Sequence, residues 1–110
     1  MNKRELQLKA ESFLQVTKDR LAALPRAEVE TWPDWPGIPP FSLEVPQDSS
    51  ALKFTFTLMK ETFSDGRIRI AVQCYRYRFL GMGWMFADGF ILSPDGCRSN
   101  LTEQDIWDVT

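Results

Sequence analysis

From residue 6 to residue 24 one set of positions recurs at steps of three and four: Leu6, Ala10, Phe13, Leu14, Thr17, Leu21 and Leu24. That spacing gathers them on one face of a helix, with Lys9, Glu11, Gln15, Lys18 and Asp19 elsewhere on the wheel. Asn2 followed three residues later by Glu5 provides an N-cap and a carboxylate for the free backbone donors of a helix start. Pro25 disfavours helical geometry at the residue before it. A helix over about 3–24 is predicted.

Further along, the period changes from helical to alternating. The runs 52–63 and 67–80 flank Ser64-Asp65-Gly66, and Asp-Gly between alternating runs signals a hairpin. A two-residue Asp65-Gly66 turn sets Leu52 against Phe79, Phe54 against Tyr77 and Phe56 against Tyr75. A second turn at Gly81-Met82 sets Phe79 against Trp84, Tyr77 against Phe86 and Tyr75 against Asp88. Both turns then stack aromatics on one face, the kind of cross-strand ladder that stabilises sheets. The predicted sheet spans 52–92, with 84–92 read as one continuous or bulged strand through Asp88-Gly89. Ser93-Pro94-Asp95-Gly96 is a β-turn. Thr102 with Asp105, and Leu101 with Ile106, predict a short helix over 103–109.

Between helix and sheet lies a segment, 25–46, that holds six of the seven prolines. Trp32-Pro33-Asp34-Trp35-Pro36-Gly37-Ile38-Pro39-Pro40 fits neither a regular helix nor a central strand. It is expected to cross the surface extended, with Trp32 buried and Trp35 more exposed. Alternation of Phe41, Leu43 and Val45 with Ser42 and Glu44 suggests a short edge strand at 41–45. The whole chain reads as one α+β domain over 1–110: a helix packed on one face of a three- or four-stranded antiparallel meander, with a short C-terminal helix. This order of elements resembles the cystatin-like and NTF2-like architectures, a resemblance of arrangement alone, which implies a pocket between helix and sheet.

The length, 110 residues, suits one domain. Histidine is absent, which removes His-ligated metals and imidazole-based triads. No nucleophile, metal or cofactor motif takes its place, so no catalytic residue, metal or cofactor is assigned. The two cysteines, Cys74 and Cys97, are too few for a disulfide framework. Without an export-like leader or an apolar run long enough to span a membrane, a cytoplasmic location away from membranes is expected.

Net charge is −2, with signs that alternate in blocks: 29–50 carries four acidic and no basic residues, 51–80 six basic and two acidic. Arg76 and Arg78 fall on the opposite face from Tyr75 and Tyr77 in the predicted register, which argues against single-strand nucleic-acid binding. Two candidate surfaces remain. One combines Trp32 and Trp35 with an apolar patch of Met59, Phe63, Ile70, Val72 and Ile91 on the sheet face away from the long helix. That patch would be covered by 29–46 or would bind a protein partner or a second copy of the chain. The other is a pocket lined by Gln73, Tyr75, Tyr77 and Asp88. The first implies a small non-catalytic protein-interaction module, inhibitory or immunity-like in role. The second implies small-ligand binding or an uncommon enzyme chemistry.

Overall fold

A computed structural model of the chain describes residues 3–45, 47, 53–77 and 83–108, apart from the side chains of Tyr77 and Trp107. Helix α1 (Lys3–Ala22) is followed by a short α2 (Arg26–Glu30), strands β1 (Phe54–Thr62), β2 (Ile68–Tyr77), β3 (Gly83–Leu92) and β4 (Arg98–Asn100), and helix α3 (Glu103–Asp108). The strands form one antiparallel sheet in the order β1-β2-β3-β4. The architecture is α+β, with α1 lying over β2 and β3. Among the described residues no helix is long and apolar enough to cross a membrane.

The helical stripe is buried as its spacing requires: Leu6, Ala10, Phe13, Leu14, Thr17 and Leu21 all face inward. They meet Leu58, Ile68, Ile70, Val72, Cys74, Phe90 and Leu92, and Phe13 stacks on Phe56 with ring centroids 4.2 Å apart. The N-cap expected at Asn2 lies outside the described residues. Beyond Pro25 the chain does not run extended at once. Pro25 instead opens α2, whose Val29 joins the core. Pro suits such a helix entry because its fixed φ is extended-compatible and no N–H is wasted.

The register departs from the two-residue turn. Phe54 is opposite Arg76 and Phe56 opposite Cys74, not Tyr77 and Tyr75. The loop has three residues: Phe63 donates to Arg67 O at 2.8 Å, and Gly66 has φ +89° while Asp65 keeps negative φ. A type I′ turn needs positive φ at both central residues, whereas a three-residue loop needs it only at the glycine. One residue of slip reverses every side chain of β2. Ile68, Ile70, Val72 and Cys74 therefore face α1, and Tyr75 shares the far face with Arg69 and Gln73. Across β2–β3, Arg76 is opposite Trp84 and Tyr77 opposite Gly83, in place of the pairing through Gly81-Met82. Leu52 and Phe79, the other members of the expected ladder, lie outside the described residues.

Asp88-Gly89 is interior to β3, and β4 adds a fourth, edge strand. The β3–β4 loop repeats the first one: Ser93 donates to Cys97 O at 2.8 Å, Gly96 has φ +90°, and Asp95 accepts from the Cys97 N–H as Asp65 does from that of Arg67. At 41–45 no strand forms. Phe41 and Leu43 pack against the core from a loop instead, and the two prolines before them offer no N–H to a ladder. On the far face, α3 begins with the expected reciprocal bonds between Thr102 and Asp105. Its Ile106 covers Met59, Ala71, Ile91 and Leu101. Arg69, buried beneath α3, pairs with Glu61 at 2.9 Å and Asp108 at 3.6 Å.

Arg26 ties the two matching loops to the helices. Its Nη1 donates to Leu92 O and Ser93 O at 3.2 and 2.9 Å, its Nη2 to Gly66 O at 2.9 Å, and its Nε to Glu30 at 2.6 Å. A planar fork reaches both turns where an ammonium could not. Arg26→Ala is expected to lower stability by about 1–3 kcal/mol, as for lost hydrogen bonds to a charged group, with Arg26→Lys recovering only part. Urea unfolding of the three proteins checks this; equal midpoints would contradict it.

Candidate functional site

Residues 31–41 form a ledge along the free edge of β1. Its anchor is Lys60, a cation in the inward row Phe54, Phe56, Leu58, Lys60. The ammonium is nearly buried, donating to Trp32 O at 2.9 Å and pairing with Asp34 at 2.8 Å. Burial of a lysine requires such pairing. The same residue's carbonyl accepts from the Trp35 N–H at 2.8 Å. Asp34 also accepts from the Thr62 hydroxyl at 2.9 Å and from the Thr62 N–H at 3.3 Å. The ledge thereby takes up outward-pointing backbone groups of β1 at Lys60 and Thr62, protecting that part of the edge.

The two tryptophans separate. Trp32 is 4% exposed and packs against Phe41, centroids 6.0 Å apart, while Trp35 is 47% exposed and Ile38 86%. Between them the chain turns sharply, Gly37 donating to Asp34 O at 2.7 Å through a cis Trp35-Pro36 peptide. A Cβ at Gly37 would stand 2.6 Å from Pro33 Cβ, so only glycine fits this turn. The result is an apolar tip of Trp35, Pro36 and Ile38 on a backbone fixed from below.

The acidic character of the segment is largely cancelled in space. Glu30 pairs with Arg26 at 2.6 Å, Asp34 with Lys60 at 2.8 Å and Glu44 with Arg20 at 3.6 Å. All three cations come from outside the stretch that lacks basic residues in the sequence.

The sequence-predicted patch is divided between two buried layers. Ile70 and Val72 lie under α1, whereas Met59 and Ile91 lie under α3, with Phe63 half-buried beside Arg67 and Arg69 at 5.1 and 5.3 Å. Ile70 and Val72 share their cluster with α1 and with Val29, Trp32, Phe41 and Leu43 of 29–46, the cover expected of that segment, whereas Met59 and Ile91 are covered by α3. The predicted pocket does not assemble either. Asp88 is opposite Val72 on the α1 face, while Tyr75 is opposite Met85 and Gln73 opposite Ala87 on the other face. Tyr77 ends β2, and its side chain lies outside the described residues. Asp88 sits at the rim, 3.3 Å from Lys18 and accepting from the Gly89 N–H at 2.7 Å. The space under α1 that would have held a ligand is filled by aliphatic side chains of β2.

Neither thiol is activated. Burial pushes Cys74 up to about 12, and the hydrogen bond and charge of Asp95 raise Cys97; a nucleophilic cysteine needs the opposite shift. Among the described residues no group of three or more His, Cys, Asp or Glu is placed to hold a metal. Comparison with protein families, with curated proteins and with solved structures returned no match.

Lys60 and Ile38 were not singled out in the sequence. Lys60 carried a signal, since it breaks an apolar alternating row at an inward position. Its bonds, with those from Thr62, hold the Asp34 carboxyl below the ordinary aspartate value. A depressed folded-state value means that Asp34 contributes stability above its unfolded value, roughly 3.9, and loses it as pH falls through the lower folded value. Acid unfolding of Asp34→Asn is therefore expected to converge with wild type below that window and to lie below it in stability at pH 5–7. Parallel curves across the whole range would contradict the pairing.

Proposed function

We propose that the chain is a small non-catalytic protein-interaction module, acting in the cytoplasm, and that the Trp35–Ile38 tip is its contact. The observation that carries this reading is a half-exposed Trp beside a nearly bare Ile, on a backbone held by a buried lysine. Tryptophan is prominent among interface hot spots. A pre-ordered loop loses little conformational freedom on binding. With its carboxylates paired internally, the tip suits an apolar cleft rather than a basic surface. A tip that fills a partner's cleft would block it, which is the inhibitory or immunity-like role in physical terms.

Trp32 and Trp35 give the test. Trp35→Ala with Ile38→Ser leaves the melting temperature nearly unchanged and abolishes capture by a photo-crosslinker at position 36 in host cells. Trp32→Ala costs about 3–5 kcal/mol as a large-to-small core change. A Trp35→Ala protein that melts as low as Trp32→Ala, or that crosslinks as wild type does, contradicts the proposal.

A further inference from the structure

Along part of its length the opposite edge of the sheet is open among the described residues. β4 pairs only with Phe90, Ile91 and Leu92, so from Gly83 to Gly89 the outer side of β3 has no strand beside it among the described residues. The hairpin closures at Phe63–Arg67 and Ser93–Cys97 fix the alternation of backbone groups. By that alternation the odd-numbered residues of β3 direct their N–H and C=O away from β2. The Gly89 N–H is taken by Asp88. Met85 and Ala87 then present two N–H and two C=O groups. Folded proteins usually blunt such an edge with lysine, proline or a covering loop, as the ledge does on β1. Here the strand reads Gly83-Trp84-Met85-Phe86-Ala87-Asp88, and its one charge is paired with Lys18.

We propose that this edge binds β3 of a second copy, antiparallel, about a two-fold axis at Phe86. The inference does not rest on the function proposed above. With Phe86 opposite its counterpart, Met85 exchanges both backbone bonds with Ala87 of the other copy, and Ala87 with its Met85. Four hydrogen bonds use all four outward groups of Met85 and Ala87. A two-fold axis demands a self-complementary surface, and the flank of α1 beside this edge has one. Lys3 sits over Trp84 at one end of β3 and Lys18 bonds Asp88 nearer the other, so α1 runs in the direction of the strand. The axis sets the two α1 helices antiparallel, bringing Arg4 of each toward Asp19 of the other. Glu11 falls near the axis, its carboxylate held along the helix by Gln7 at 2.9 Å. A groove of about 510 Å³ follows the edge between α1 and α3, with Leu14, Phe86 and Ile106 in its walls. The dimer would be one eight-stranded sheet with a Trp35 tip at each far edge.

Sedimentation from micromolar to millimolar protein, with amide exchange at Met85 and Ala87, tests this. The expected result is a monomer–dimer equilibrium in which both amides are protected at high concentration and exchange freely on dilution. Ala87→Pro removes an N–H that bonds no described residue in the monomer and should raise the dimer dissociation constant at least about tenfold. Should that variant not fold, Arg4→Asp weakens the dimer and Arg4→Asp with Asp19→Arg restores it. A monomer at every concentration overturns the proposal and leaves the edge to an extended segment of another protein. A dimer in which both amides exchange freely overturns it equally.

Discussion

A single loop residue with positive φ decides the arrangement of the rest. Gly66 lets the first hairpin close over three residues, and closure over three puts the aliphatic row Ile68, Ile70, Val72, Cys74 under α1. The opposite parity would place Arg69, Gln73 and Tyr75 there and bury a cation and two polar groups against Leu14 and Phe13. Hydrophobic burial and loop conformation therefore favour the same register, the kind of consistency across levels that gives a sequence one structure. The parity also gives Arg69 to α3, and it determines which backbone groups each sheet edge exposes.

A part-buried arginine and a buried lysine fasten the irregular parts to this frame. Arg26 spans both Asp-Gly loops from α2, and Lys60 holds the Trp-Pro ledge against β1. Each satisfies backbone carbonyls that side chains of other types would leave without donors, and a carbonyl deprived of its donor in a dry setting is costly. Rigidity of the ledge thus comes from one lysine in the sheet together with the prolines of the segment itself. The two sheet edges differ in protection among the described residues, β1 covered at Lys60 and Thr62 and β3 open from Gly83 to Gly89, and that asymmetry separates the two proposed contacts in space.

Much of this was legible in the sequence. The stripe from Leu6 to Leu21 marked the face of α1 because helical spacing is a local property. Thr102 with Asp105 marked the start of α3 in the same way, and Trp32 and Trp35 were expected to differ in burial as they do. Register was not legible, because Asp-Gly serves two loop types, of two and of three residues, that the sequence does not tell apart. That ambiguity misplaced Ile70 and Val72, while the β2–β3 register, offset from the one a Gly81-Met82 turn gives, set Asp88 opposite Val72 in place of Tyr75. Arg26 and Lys60 were missed for another reason: their partners are carbonyls distant in sequence, and no local pattern announces them.

Cross-strand Hα–Hα NOEs measure the register most directly, since non-hydrogen-bonded antiparallel pairs bring their Cα atoms to about 4.5 Å. The three-residue closure predicts strong NOEs from Phe56 to Cys74 and from Leu58 to Val72. NOEs from Phe56 to Tyr75, or from Thr57 to Cys74, would contradict it.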